Sequence, residues 1–347
     1  MASRDIVVVG TSAGGVEALT TLVAALPETL TCSIFVVIHL APSSPGMLPQ
    51  ILSRAGKLPA VTPRDGEALK PGMIYVAPPD RHMILDGERI RVLFGPKENR
   101  NRPAIDPLFR SAAMFFGSRV VGVILTGSLG DGAGGLRMVK EAGGTAIVQD
   151  PNDALYPSMP STAMANLEPD YVLPLADIPA KLVELTNPKN VLPPEHPVRG
   201  SLRPKDALLA LENDHEPSRN GHPSVFSCPD CGGVLWEVTE ENVLRYRCRV
   251  GHAFSPETML EAQGETLEGA LWAALATLDE SATLARRLAE QHRGRGLPWI
   301  AQRFEEREQI ARERASLVRQ ALLGVSLHEI PVAPEEEPVE SGGKSGE

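Results

Sequence analysis

The chain has 347 residues, enough for one large domain with smaller attachments, and its 42% apolar content suits a soluble protein with a sizeable core. A formal net charge of -10 argues against broad binding to nucleic acid or to an anionic membrane, which would need a basic surface. No apolar run reaches the roughly 18 residues a membrane-spanning helix needs, and the start of the chain lacks a secretory signal.

Along residues 1–186, short β-branched runs alternate with helical patterns. Residues 6–10, 32–39, 73–77, 120–126 and 145–149 read as strands, several of them continuously apolar, as expected of strands buried on both faces of a mostly parallel sheet. Residues 16–25, 44–55, 105–116 and 133–142 read as the helices between them, and residues 89–94 as an antiparallel excursion. The predicted fold class is α/β, a doubly wound, mostly parallel sheet with flanking helices. Residues 187–225 are rich in proline, charge and histidine and read as a linker with one short helical stretch at 206–212. A Cys-rich module is expected over 226–254, a helical hairpin over 255–325 and a disordered acidic tail over 326–347. Ser255 followed by Pro256 and Glu257 predicts the start of the first hairpin helix. Its apolar stripe runs through Leu260, Leu267, Leu271, Ala274, Leu278 and Leu288. That of the second helix runs through Trp299, Ile300, Phe304, Ile310, Leu317 and Leu322.

The segment Ile6-Val-Val-Val-Gly10-Thr11-Ser12-Ala13-Gly14-Gly15-Val16 is a strand, a Gly-rich turn and a helix start. It lacks the Lys-Ser/Thr pair of a P-loop and reads G-x-x-x-G-G rather than G-x-G-x-x-G, so neither nucleotide reading fits. A third reading exposes the Ser12 hydroxyl at the carboxyl edge of the sheet, where N–H groups of the turn could stabilise an oxyanion. A lone serine there is more often a helix cap. His39 closes the second apolar strand and Asp131 follows the strand that begins near Val120, so both emerge at the same edge. Each also has a bland reading, His39 as a loop residue and Asp131 as the cap of its own helix. Three strand ends delivering Ser, His and Asp to one edge is what acyl transfer requires, with His39 taking the Ser12 proton and Asp131 holding the imidazole tautomer.

These residues also carry a resemblance. Gly10-Thr-Ser12-Ala-Gly-Gly15, His39-Leu-Ala-Pro42, the stretch from Pro71 through His82 and Asn101-Arg-Pro-Ala-Ile-Asp106-Pro-Leu-Phe109 follow one another. Leu125-Thr-Gly127-Ser-Leu-Gly130-Asp131-Gly-Ala and the Gln149 strand end complete the series. Over about residues 4–185 the chain resembles the catalytic domain of the CheB family, the bacterial chemotaxis methylesterases. The resemblance implies hydrolysis of glutamate γ-methyl esters on chemoreceptor cytoplasmic helices, often with deamidation of glutamines, through a Ser12 acyl-enzyme and without a catalytic cofactor. Two side chains depart from the family pattern, Ala13 for threonine and Ser128 for methionine. Both changes are tolerable if the oxyanion donors are the backbone N–H groups of Ala13 and Ser128. The best-known members begin with a phosphorylatable receiver domain; this chain starts at the catalytic strand, so control by phosphorylation in cis is not expected. Arg102, for positioning substrate, and His82 are lesser candidates than the triad, each in a loop expected near the sheet edge and each with a purely structural reading. Two rival functions stay open: an esterase or amidase of another substrate, and a catalytically idle signalling adaptor.

Cys228-Pro-Asp-Cys231 and Cys248-Arg-Val-Gly-His252, separated by 16 residues, have the spacing of a Cys3His zinc ribbon, and a site filled by four protein ligands is structural. Arg245, Arg247 and Arg249 are expected to offset the charge of its three thiolates. Such a module nucleates a small fold lacking a core of its own; the helices beyond it have two readings, a surface for docking a signalling partner or for dimerisation, and simple core packing against the ribbon. Clustered thiols beside a lone Cys32 suit a reducing compartment, so the expected location is the cytoplasm.

Overall fold

A computed structural model describes residues 4–87, 89–190, 221–240 and 243–324. The expected helical stretch at 206–212 and the expected acidic tail lie outside the described residues. Close contacts divide the chain into two compact units, Met1–Glu261 and Ala262–Glu347.

The first unit opens with β1 (Ile6–Thr11), α1 (Gly15–Ala24), β2 (Ser33–Ile38) and α2 (Leu48–Ala55). Short strands β3 (Ala60–Val61), β4 (Glu67–Ala68) and β5 (Ile74–Val76) precede a hairpin of β6 (His82–Asp86) and β7 (Arg89–Leu93). Then come α3 (Ile105–Phe116), β8 (Val120–Ile124), α4 (Ala133–Glu141) and β9 (Thr145–Gln149). α5 (Ser158–Asn166), β10 (Tyr171–Leu173) and α6 (Ile178–Leu185) close the α/β part. Seven strands form one sheet in the order β10-β9-β8-β1-β2-β5-β3, and every pairing within it is parallel.

The continuous apolar strands explain this architecture. Side chains alternate across a strand, so Val7 and Val9 of β1 enter the core on one face, while Ile6 and Val8 enter the other. Leu19, Leu22 and Leu182 cover the first face from α1 and α6; Ile105, Leu108, Phe109 and Leu136 cover the second from α3 and α4. Both faces are dry because a parallel sheet is crossed over by helices on each side. Strand order reverses about β1, which has β2 on one flank and β8 on the other. A sheet of this kind opens a crevice at the carboxyl ends of such strands. The hairpin β6–β7 joins β4 in a separate antiparallel sheet, so the predicted excursion at 89–94 is real but leaves the main sheet.

Further along the same unit lie β11 (Gly221–Ser227), β12 (Val234–Glu240), β13 (Val243–Cys248) and β14 (Ala253–Phe254), an antiparallel sheet in chain order. Residues 221–225, expected as linker, are therefore the start of a strand. Proline is tolerated there because β11 is an edge strand with one flank unpaired.

Helix α7 (Pro256–Gly294) begins in the first unit and runs on into the second, where α8 (Pro298–Gly324) follows. Ser255 caps it as expected, its Oγ accepting the Thr258 N–H at 3.2 Å. Ion pairs Arg319–Asp279 and Arg293–Glu305, with His292 stacked on Phe304, make the second unit an antiparallel hairpin. Its buried seam follows the predicted stripe only in part: Leu271, Leu278, Leu288, Ile300, Phe304 and Leu322 are half-buried, and Leu275 is buried beside a row of alanines. Ala282, Ala285, Ala289, Ala301, Ala311 and Ala315 are buried, while Leu267, Trp299, Ile310 and Leu317 are exposed. Two helices bury most where they approach most closely, and small side chains permit that approach. Among the described residues no helix is long and apolar enough to cross a membrane.

Candidate active site and metal centre

Ser12, His39 and Asp131 follow β1, β2 and β8, three adjacent strands of the sheet. The turn after β1 is pinned at both ends. Thr11 Oγ1 donates to the Thr126 carbonyl at 2.7 Å and Ser12 N–H to the same oxygen at 3.1 Å. Gly15 N–H then donates back to the Ser12 carbonyl at 2.9 Å. The turn closes on Gly14, the N-cap of α1, at φ 72°, a left-handed conformation that favours glycine. On the other side, Gln149 at the end of β9 accepts the Thr126 N–H at 2.8 Å, which locks the turn after β8 beside the turn after β1.

The three side chains form one hydrogen-bonded path. His39 Nδ1 lies 3.1 Å from Ser12 Oγ, and His39 Nε2 lies 2.7 Å from Asp131 Oδ2. The tautomer that fits carries its proton on Nε2, donates it to the carboxylate and turns the Nδ1 lone pair toward the hydroxyl. Asp131 does not cap its own helix. Gly132 occupies that cap, and the carboxylate instead accepts the first two N–H groups of α3, Ile105 at 2.7 Å and Asp106 at 3.2 Å. Asn99 Nδ2 donates to its other oxygen at 2.8 Å. Burial works to raise the Asp131 carboxyl, but the hydrogen bond and charge of His39, the Ile105 N–H and Asn99 together hold it below its usual value.

Behind Asp131 lies a buried polar cluster that the sequence reading missed. Arg110 grips Glu98 through two bonds of 2.8 Å. Burial works to raise the Glu98 carboxyl, yet the charge and hydrogen bonds of Arg110, then Arg245 and Arg247, hold it well below the usual carboxylate range. Both Glu98 and Asp131 thus bind protons more weakly folded than unfolded. Their contribution to stability is present above about pH 4 and is lost as pH falls below it. The urea midpoint should therefore drop between pH 5 and pH 3, and Glu98→Gln should flatten that slope; an unchanged slope would refute the assignment.

The N–H groups of Ala13 and Ser128, like that of Gly14, have no acceptor among the described residues, while Ser12, Gly127 and Leu129 are engaged. Arg102 stands in a different set. Its guanidinium donates to Asp80 at 2.6 and 2.9 Å and to the Gly95 carbonyl at 2.7 Å, and it lies 3.8 Å from the Phe94 ring centre. His82 is not in a loop but opens β6, buried, with Nε2 bonded to the Pro96 carbonyl at 2.8 Å; its role is to hold the 96–104 segment.

Cys228, Cys231, Cys248 and His252 converge, all four ligand atoms lying within 4.8 Å of one another. Cys231 and Cys248 sulfurs are 3.7 Å apart, and His252 Nδ1 is 3.6 Å from the sulfurs of Cys228 and Cys248. Bonds of about 2.3 Å to sulfur and about 2.0–2.1 Å to nitrogen in a tetrahedron give edges of about 3.8 and 3.6 Å, so these three distances are compatible with a zinc site. Each pair sits on a knuckle: Gly232 N–H bonds the Cys228 carbonyl at 2.8 Å, and Gly251 N–H the Cys248 carbonyl at 2.9 Å. One expectation needs correction. Arg245 is aimed at Asp106 and Glu98, at 2.7 and 3.3 Å, rather than set to offset thiolate charge.

A parallel α/β sheet with a hydroxyl, an imidazole and a carboxylate in line at its carboxyl edge has the parts of an acyl-transfer hydrolase. A family model described as CheB methylesterase matches residues 7–182. The chain belongs to the CheB methylesterase family. A relative from Leptospira interrogans is 37% identical over 182 residues, 52% of this chain and 94% of that protein. The protein-glutamate methylesterase/protein-glutamine glutaminase of Thermotoga maritima is 37% identical, over 53% of this chain and 54% of that protein. A second protein of that name from Caulobacter vibrioides is 40% identical, over 50% and 52%. The crystal structure of the Thermotoga maritima CheB methylesterase catalytic domain superposes with a TM-score of 0.51 at 36% identity, covering 53% of this chain and 100% of that one.

Proposed function

We propose that the chain is a serine hydrolase that removes methyl groups from glutamate γ-methyl esters on chemoreceptor-like proteins and deamidates glutamines at the same centre. The observation that carries this reading is the unbroken path from Ser12 through His39 to Asp131. The names of the relatives supply the substrate class.

In this reading Ser12 Oγ attacks the ester carbonyl while its proton passes to His39 Nδ1. The N–H groups of Ala13 and Ser128 hold the developing oxyanion. Methanol leaves with the proton from Nδ1, and a glutamyl ester on Ser12 remains. Water then gives a proton to Nδ1, attacks the acyl carbon and releases glutamate as Ser12 regains its proton. For a glutamine side chain the first leaving group is ammonia. Asp131 keeps the imidazole in the reactive tautomer and offsets its charge when protonated. Arg102, already paired with Asp80, shapes the Phe94 side of the cleft rather than offering a free cation. The Cys3His cluster holds a structural zinc ion, with no protein-free position for catalysis. Three thiols committed to a metal, and no disulfide, favour a reducing compartment, the cytoplasm.

A fluorophosphonate probe tests the reading directly. It should label the peptide carrying Ser12, and His39→Ala should slow labelling by at least about a hundredfold. Labelling that ignores His39 would overturn the relay.

A further inference from the structure

Immediately after the metal ligand His252, the backbone of the Cys3His module grips the loop behind the candidate active site. Glu98 forms a parallel bridge with Ala253. Asn99 N–H donates to the Ala253 carbonyl at 2.7 Å, and Ala253 N–H to the Lys97 carbonyl at 3.3 Å. Ser255 N–H then donates to Asn99 Oδ1 at 2.9 Å. That last bond decides which way the Asn99 amide faces. With its oxygen held by Ser255, its Nδ2 is turned to the carboxylates of Asp131 at 2.8 Å and Asp106 at 3.1 Å. Asn99 is 1% exposed and takes φ 47°, a left-handed conformation that asparagine tolerates, and Asn101 Nδ2 donates to its carbonyl at 2.6 Å, so its own loop fixes the backbone while Ser255 meets the side-chain oxygen.

Arg245 reaches the same place from β13, three residues before the ligand Cys248. It is 3% exposed and bonds Asp106 and Glu98. A Cβ on Gly134 would stand 2.7 Å from its Nη2, so the start of α4 is shaped to admit it. Asp106 and Asp131 meet on one amide in a dry setting, and a cation is needed to offset their repulsion.

We propose that Asn99 and Arg245 are positioning residues of the relay, and that the Cys3His module is thereby a working part of the catalytic centre. Asn99 fixes the plane of the Asp131 carboxylate, Arg245 neutralises Asp106 beside it, and the module supplies both the arginine and the backbone that orients the amide. This rests on the assignment of Asp131 to the relay.

Methanol release by the full chain tests it. Asn99→Ala and Arg245→Met should each lower kcat by about ten- to a hundredfold, as loss of an orienting partner does elsewhere, with KM within about twofold. Metal content should stay at the wild-type level. The charged and titratable groups about the relay are Asp131, Asp106, Glu98, His82, Arg110, Arg245 and Arg247. Removing the Arg245 charge leaves that set more negative and should move the acid limb of the kcat/KM profile to higher pH. Arg245→Lys keeps the cation and should hold the limb in place. Wild-type kcat in Asn99→Ala, which needs no buried charge removed, overturns the proposal, as does an unmoved limb in a folded Arg245→Met. If Ser12→Ala keeps its activity, the relay itself is wrong; if Ser12→Ala is inactive and Asn99→Ala is not, only this inference fails.

Discussion

Replacing Ser12 with alanine should lower methanol release from methylated receptor fragments by about 10⁴- to 10⁶-fold while leaving the fold unchanged. Without Oγ there is no acyl-enzyme, and what remains is attack by water helped only by the oxyanion donors and by binding. The structure explains why the fold survives. The Ser12 backbone bonds to Thr126 and from Gly15 do not involve its side chain, and the hydroxyl touches His39 at a partly open position. The melting free energy should change by less than about 1 kcal/mol. Calorimetry and a methanol assay on the same preparation check both halves. Substantial residual hydrolysis would remove Ser12 from the mechanism.

Metal removal should have the second large effect, this time on stability. The Cys3His module has few core residues of its own: Leu235, Val238, Ala253 and Phe254 are buried, along with Cys228 and Cys248. Burial pushes the Cys228 thiol up to about 12 in the free chain, with the neighbouring backbone N–H groups lowering it only in part. A zinc ion held by three sulfurs and a nitrogen would replace a core the module lacks, and in isolated zinc modules such binding contributes roughly 10–16 kcal/mol. Docking through Ala253, Ser255 and Arg245 supports part of the module without metal, so the loss here should be smaller, at least about 3 kcal/mol. One zinc per chain is expected, and Cys248→Ser or a strong chelator should lower the melting temperature in proportion to zinc lost. Full stability at zero metal content would show the cluster to be four unligated side chains.

Much of the α/β part was legible because its strands are continuous apolar runs. Residues 105–116 and 145–149 formed the predicted helix and strand to the residue. Helix α6 went unread although Ile178, Leu182 and Leu185 keep helical spacing and are buried. Helix α5, with Met159, Pro160 and Ala163 as its buried residues, carries no such stripe. Strand β11 was hidden by proline and histidine, residues that suit a linker and an edge strand alike. In the helical hairpin the predicted stripe is only half right, since alanines take the most buried positions: side-chain hydrophobicity does not report which face lets two backbones come close.

The active-site candidates divide the same way. That Ser12, His39 and Asp131 reach one edge follows from the sequence alone, since each closes or follows a strand of a parallel sheet and such strands share a direction. Only the tertiary structure decided what holds them. The choice of Nδ1 toward the hydroxyl, the two α3 N–H groups on Asp131, and the Asn99 amide turned by Ser255 all join residues 25 to 156 positions apart. Periodicity and motif spacing describe neighbours along the chain. Hydrogen bonds between carboxylates and donors from distant elements depend on how those elements pack, and that is written in no local pattern.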